Sequence, residues 1–381
     1  MKNILFASWY TDLGGGETAL LALAGALDPA SYHPHLLVPR EGRLAERWRA
    51  NGWPVHRLAY RGASLYFVPA LWARLPVVER MEQLLRDHDI HAAHSDYHTL
   101  PLLLPAAERA GVPVLWTCMG WWFRPKPWQR AFFHRPGAAF AHSQAIKNGF
   151  LGQPPFMPPE RIEVLYPGVD TDRFHPGVDG AGVRHEAGIA PDAPVVALVA
   201  RFQNVKGHEV FQDMARRVLR EIPAARFLVA GENIQTGADS AYKRRILQAA
   251  QDDPGLRGRL VYLGFRADVE RVLAAADVVV CSSFFESYGL VNVEAMACGR
   301  PVVSTNRGGP AETVVHGETG FLTPPGDAEA LAFHVVDLLR DPALRARLGA
   351  AGRARVEKLF SARANGEQFT RALKQLPERK L

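Results

Sequence analysis

The sequence predicts an α/β protein of two doubly wound, Rossmann-like domains facing each other across a cleft. Three observations predict it. Short apolar, β-branched runs alternate with helical segments, which marks parallel sheets covered by helices. The alternation runs twice along the chain, and residues 166–194 between the two series, rich in Pro, Gly and Asp, read as a linker. At 381 residues the chain is long enough for two domains of roughly 100–200 residues each. The expected division is 1–170, a linker at 171–194, and 195–360, with a terminal helix at 361–381 packing back on the first domain.

In the first series the expected strands are 3–8, 35–38, 53–58, 91–94, 113–117, 138–141 and 162–165. Helices are expected from Gly16 to Leu27 and, longer, from Phe67 to Asp87. The second series opens at 195–200 (VVALVA) and continues through 226–230, 260–263, 277–281 and 301–304. In such sheets ligands bind beyond the carboxyl ends of the strands, so motifs at strand ends carry the functional reading.

Composition excludes several classes. Hydrophobic content of 48% and charged content of 22% are those of an ordinary globular protein. The net charge of +6 is spread along the chain, with 18 Lys/Arg against 16 Asp/Glu in residues 1–180, so no nucleic-acid partner is expected. Cys118, Cys281 and Cys298 lie far apart without a CxxC pair, which fits a reduced compartment and argues against a thiolate metal site. The N-terminal run is too short for a signal peptide, and no uncharged stretch reaches the ~18–20 residues of a membrane span. The expected location is the cytoplasm, with peripheral contact at the inner face of the membrane.

The most informative stretch is 281–312, CSSFFESYGLVNVEAMACGRPVVSTNRGGPAE. An apolar run ends at Cys281, a polar loop follows, and a helix begins near Gly289. Unpaired N–H groups and about half a positive charge make a helix start a phosphate site, here supplied by the backbone of Ser287, Tyr288, Gly289 and Leu290. Glu286 in the loop and Glu294 inside the helix frame that start, and carboxylates there repel phosphate but accept hydrogen bonds from hydroxyls. Phosphate together with hydroxyls describes a nucleotide sugar.

Two further strand-end loops fit. In Ala200–Gly207, ARFQNVKG, Arg201 offers a planar fork and Lys206 a point charge, and both can converge on one anion. In Gly14–Glu17, GGGE, the backbone of Gly15 and Gly16 can approach a ligand closely. With Ala19 this segment also matches G-x-G-x-x-A, but Trp9 to Leu13 separate it from the strand, unlike the dinucleotide fingerprint. His88, His91, His94 and His98 lack the spacing of a zinc site and read as solvated or strand-capping. Asp170-Thr171-Asp172 reads as a turn.

Together the motifs resemble the family-4 (group 1) retaining glycosyltransferases of the GT-B fold. The matches are GGGE at 14–17, LYPGVDTDRF at 165–174, ARFQNVKG at 200–207, VYLGF at 261–265, ESYGLVNVE at 286–294, EAMACGRPVV at 294–303, GGPAETV at 308–314 and GETGFL at 317–322, in the family's order. The resemblance implies that Arg201 and Lys206 hold the donor diphosphate while the Gly15–Gly16 backbone approaches it. It implies that Glu286 binds donor-sugar hydroxyls and that Glu294 binds the ribose. Arg201, Lys206 and Glu286 would then be the catalytic set. It further implies front-face transfer with retention, no metal and no cofactor, with the nucleotide diphosphate sugar as co-substrate: UDP-hexose first, GDP-mannose second. The family often has a histidine in the motif that here reads Thr117-Cys118-Met119-Gly120. Met119 can neither shuttle a proton nor bond strongly to a hydroxyl.

The acceptor side is read from Met119, Trp121 and Trp122. Segment 121–135, WWFRPKPWQRAFFHR, carries six aromatics and four cations without an acid. That composition suits an amphiphilic or lipid-linked acceptor, a sugar, or a membrane–water interface. Competing readings are an isomerase of the nucleotide-sugar 2-epimerase type and a non-catalytic nucleotide-sugar-binding protein. A nicotinamide dehydrogenase rests only on the G-x-G-x-x-A match.

Overall fold

A computed structural model describes residues 1–63, 67–120, 124–233 and 237–377. The chain divides into two compact domains, one formed by Met1–Gly168 with Ala362–Leu381 and the other by Val169–Ser361. Each is a Rossmann-like layer of parallel strands with helices interleaved along the chain.

In the first domain the strands are β1 (Lys2–Ala7), β2 (Tyr32–Val38), β3 (Val55–Arg57), β4 (Ile90–Ser95), β5 (Val114–Cys118), β6 (Ala138–Ala141) and β7 (Glu163–Val164). They pair in parallel in the order β3-β2-β1-β4-β5-β6-β7. Ile4 to Ala7 of the central strand are all buried, as a sheet covered on both faces requires. Strand order reverses between β1 and β4, where Leu5 pairs with His35 on one side and Ala93 on the other. Helix Ala362–Gln375 belongs to this domain. Its Phe369 ring lies 5.9 Å from Phe6 and 6.0 Å from Phe140, a burial worth about 1.5–3 kcal/mol. Asn365 and Gln368 of the same helix donate to the carbonyls of Tyr166 and Val164.

The second domain holds β8 (Val195–Val199), β9 (Arg226–Ala230), β10 (Leu260–Gly264), β11 (Val278–Cys281), β12 (Val302–Thr305) and β13 (Gly320–Thr323). They are parallel in the order β10-β9-β8-β11-β12-β13. Here the order reverses between β8 and β11. The core is almost wholly aliphatic along the sheet, with Val196, Val278, Val280 and Val303 at 0–1% exposure, and Phe211 and Phe227 close it from one face.

Three expectations are corrected. The segment expected as one helix from Phe67 to Asp87 contains two, Pro69–Trp72 and Pro76–Asp87. Pro76 has no N–H to continue the first, and its ring forces Leu75 into an extended conformation (ψ 139°). The expected linker at 171–194 is packed structure of the second domain: it carries helix Ala181–Glu186 and buries Phe174, Val183 and Ile189. Lastly, β13 was not expected, because four residues beginning with glycine offer too little alternation to read.

Candidate functional site

The β8/β11 switch of the second domain gathers the charged candidates. The loop after β8 runs through Arg201 to a 3-10 turn at Asn204–Lys206, and the loop after β11 runs from Ser282 to Gly289. The two are locked together by backbone. Phe284 N donates to Val205 O at 2.8 Å, and Ser282 Oγ bonds the carbonyls of Lys206 (3.2 Å) and Gly207 (2.9 Å). Gly207 sits at φ +62°, and a Cβ there would lie 2.2 Å from Ser282 O, so only glycine permits this approach.

That lock sets a short ion pair. Lys206 Nζ donates to Glu286 Oε1 at 2.6 Å, with each side chain less than one-fifth exposed. Ser283 Oγ donates to the same oxygen at 2.7 Å. Glu286 is held from behind by the next loop, where Gly309 N donates to Glu286 O at 3.0 Å. Gly308 lies so close that a Cβ would sit 1.9 Å from that carbonyl. Removing either ion would leave the other partly buried and unpaired. Arg201 is exposed and, among the described residues, makes no ion pair.

Helix Leu290–Ala297 starts from Gly289 in the left-handed region (φ 80°), so the backbone of Ser287, Tyr288, Gly289 and Leu290 forms the expected helix entry. Glu294, inside the helix, is 6% exposed, and among the described residues no side-chain hydrogen bond reaches it. Burial pushes its carboxyl up to about 7; Arg173 works against that shift and Glu270 adds to it. Arg173 is itself engaged with Glu270 at 2.7 Å. A buried carboxylate without a donor is costly unless a ligand supplies one.

The first domain places its glycines as expected. Helix Gly15–Gly25 follows the β1 loop, and Gly14 N donates to Glu17 Oε2 at 3.0 Å. Met119 lies one residue beyond β5, with its sulfur 3.4 Å from where a Gly16 Cβ would be, so these two candidates are brought together.

Segment 121–135 behaves differently from the expectation. Trp121, Trp122 and Phe123 lie outside the described residues. Phe132 and Phe133 are core, packed around Phe67, Trp116 and Phe150 at ring distances of 5.2–6.2 Å. Trp128 is exposed at 54%. The histidines also separate. His94 is buried against Thr117 Oγ1 at 2.8 Å, and burial lowers it to about 3. The His88 ring lies 4.1 Å from that of His56, tilted by 37°. Asp170 Oδ1 accepts from Asp172 N and Arg173 N, which makes the D-x-D a turn. Among the described residues, no group of three His, Cys, Asp or Glu is placed to hold a metal.

Ser283, Arg173 and Glu270 were not anticipated. The first two lie inside quoted motif segments, but nothing in their spacing reveals that they would meet Glu286 or Glu294.

Two family models cover most of the chain: Glycosyl transferases group 1 matches residues 183–355 and Glycosyltransferase Family 4 matches residues 13–173. The chain belongs to the family-4, group 1 glycosyltransferases. Among relatives of this family, a D-inositol 3-phosphate glycosyltransferase from Mycobacterium sp. (strain KMS) is 40% identical over 193 residues, 50% of this chain and 42% of that protein. The protein of the same name from Segniliparus rotundus is 35% identical over 213 residues, 55% and 46% of the two chains. The chain thus spans less than half the length of these curated relatives. Anabaena HepE, solved in complex with UDP and glucose, superposes with a TM-score of 0.81 at 24% identity over 99% of this chain and 100% of that one. A glycosyltransferase from Rickettsia africae gives 0.83 at 18% identity, over 98% of each. Both share the GT-B fold with this family member.

Proposed function

We propose that the protein is a retaining glycosyltransferase that moves a hexose from a nucleotide diphosphate sugar to an acceptor hydroxyl without a metal ion. UDP-hexose is the first donor and GDP-mannose the second. The observation that carries this reading is the arrangement at the β8/β11 switch. The cations Arg201 and Lys206, the carboxylate Glu286 and a glycine-started helix meet where a parallel sheet binds ligands. Donor phosphates draw Lys206 and Arg201. Glu286, relieved of part of its ion pair, accepts from sugar hydroxyls, and Glu294 accepts from the ribose. The cations and helix entry are fixed before the bond breaks, so charge building on the leaving diphosphate meets a preorganised field. Family membership supports the activity, and the UDP and glucose bound by HepE support the donor class.

Acceptors within this reading are sugars, small molecules and lipid-linked molecules. Peripheral membrane contact belongs to it as well. Val68, Leu71, Leu75 and Trp128 are exposed apolar residues on two segments tied by the Gln129 Nε2–Phe67 O bond (3.0 Å). Arg74, Arg124, Lys126 and Arg130 on the same segments are exposed and complement an anionic lipid surface. Among the described residues no helix is long and apolar enough to cross a membrane.

The test combines a thermal-shift panel of UDP, GDP, ADP and their sugars with labelled-donor turnover in excess EDTA, with and without acceptors. A nucleotide at 100 times its dissociation constant adds about 2.7 kcal/mol of stability. Acceptor-dependent product with retained anomeric configuration is expected. Turnover of donor into an isomer without acceptor would replace the reading by an epimerase, and binding without turnover by a binding protein.

A further inference from the structure

The two oxygens of Glu286 are used unequally. Oε1 takes Lys206 Nζ at 2.6 Å and Ser283 Oγ at 2.7 Å. Cys281 Sγ lies 4.0 Å from the same oxygen. Among the described residues, no donor reaches Oε2. An ionised carboxylate offers about four lone-pair sites, so the side chain is clamped at one oxygen and keeps accepting capacity at the other.

The donors on Oε1 differ in permanence. Lys206 ends a long, flexible side chain, and an arriving diphosphate competes with Glu286 for its charge. Ser283 has no such freedom. It is buried, its carbonyl accepts from Thr305 Oγ1 of β12 at 2.8 Å, and the next residue, Phe284, is held by Val205 O at 2.8 Å. Its hydroxyl is oriented as well. Cys281, at the end of β11, donates its thiol proton to Ser283 Oγ at 3.6 Å, which leaves the single hydroxyl proton for Glu286. Burial, together with the charge of Glu286, pushes the Cys281 thiol up and keeps it a donor.

We propose that Ser283 is a positioning residue for the transfer: it holds Glu286 by Oε1 when Lys206 turns to the donor diphosphate, and so keeps Oε2 aimed at a hexose hydroxyl. This rests on the transferase reading above and deepens it by one residue. A partly buried carboxylate that lost its cation with no second donor would be costly and free to turn. The serine hydroxyl removes both problems, because its hydrogen bond is made before the donor arrives and survives its arrival. Ser283 acts only through Glu286, so its effect belongs to the hexose and not to the nucleotide.

The experiment is isothermal titration of the whole chain with UDP and UDP-glucose, and with GDP and GDP-mannose as the second pair. Ser283→Ala should weaken the nucleotide sugar about tenfold, the worth of one hydrogen bond to a charged group, and leave the free nucleotide within twofold. Ser283→Thr, which keeps the hydroxyl, should recover most of the loss. In a Glu286→Ala background Ser283→Ala should cost nothing further, because no carboxylate is left to position. Cys281→Ala, a milder change should Ser283→Ala fold poorly, should weaken the nucleotide sugar about threefold and spare the nucleotide. Equal loss of nucleotide and nucleotide sugar in either variant, no loss in Ser283→Ala, or a full loss that persists without Glu286 would each overturn the proposal. Failure of the donor reading registers separately, as a wild-type chain that binds neither nucleotide.

Discussion

At the β8/β11 switch of the second domain the loops carry ions, Arg201, and Lys206 paired with Glu286, beside the exposed Val205 and Phe284. At the β1/β4 switch of the first domain they are rings, with Trp9, Tyr10 and His98 in mutual contact and the carboxylate Asp96 buried against backbone N–H groups. The same topology thus supports two chemistries. Ions act on a charge that changes during reaction, and their field must be fixed in advance. Rings held in mutual contact suit a neutral hydroxyl that must be oriented and kept. The difference teaches that, under the proposed reading, the ionic half suits a leaving group and the ring half an incoming one.

The largest effect is expected where that contrast is sharpest. Arg201→Ala and Lys206→Ala should each lower kcat about a hundredfold, roughly 3 kcal/mol of lost leaving-group stabilisation, while acceptor affinity stays unchanged. Turnover and acceptor binding are measured on variants shown by circular dichroism to be folded, because Lys206→Ala also leaves Glu286 unpaired. Wild-type turnover in the folded double variant would remove the ionic half of the comparison.

The ionic half was legible in sequence and the ring half was not. Arg201, Lys206, Glu286 and Glu294 stand in short local patterns at the ends of apolar runs, so sequence distance stands in for spatial distance. His98 stands beside His88, His91 and His94 in sequence and reads with them as solvated or strand-capping. Its partners Tyr10 and Ala63 are 88 and 35 residues away, and no local pattern records such a meeting. The same reason hid Ser283 beneath Glu286, and Arg173 and Glu270 beside Glu294. The sheets were readable because buried parallel strands are nearly continuous apolar runs. The break before Pro76 was overlooked although the proline itself announces it.

Glu294 sharpens the comparison through stability. Its carboxyl rises from 4.5 to about 7 by burial. Between those values the folded chain keeps a proton that the unfolded chain releases, so stability falls as pH rises from 4.5 to 7. Above pH 7 the buried charge costs about 3 kcal/mol. In the proposed reading donor hydroxyls offset that cost, and Glu294 is then a binding group held at the expense of the empty protein. Glu294→Gln, which cannot ionise, should therefore be more stable than wild type by up to about 3 kcal/mol at pH 8 and close to it at pH 4.5. It should also bind UDP more weakly. Glu286→Gln should instead spare free UDP and lower kcat. Urea midpoints at the two pH values with UDP titrations decide it; equal loss of UDP affinity in both variants would show the two carboxylate roles to be assigned wrongly.

The smallest expected effect tests whether the first domain meets more than a soluble acceptor. Trp128 is exposed on a short helix next to Arg124, Lys126 and Arg130, while its neighbours Phe132 and Phe133 are core. Substituting the phenylalanines would unfold the segment and say nothing about a surface, so the informative changes are Trp128→Ala and, on the neighbouring helix, Leu71→Ala. Each cation near an anionic bilayer contributes about 1 kcal/mol, and a half-buried tryptophan adds a similar amount. The double variant should lose about tenfold in co-sedimentation with vesicles of phosphatidylglycerol and phosphatidylcholine, with UDP affinity and melting temperature unchanged. Wild-type binding to purely zwitterionic vesicles should be weak. Equal sedimentation of wild type and double variant would confine the acceptor side to soluble molecules and leave the exposed Trp128 without a partner.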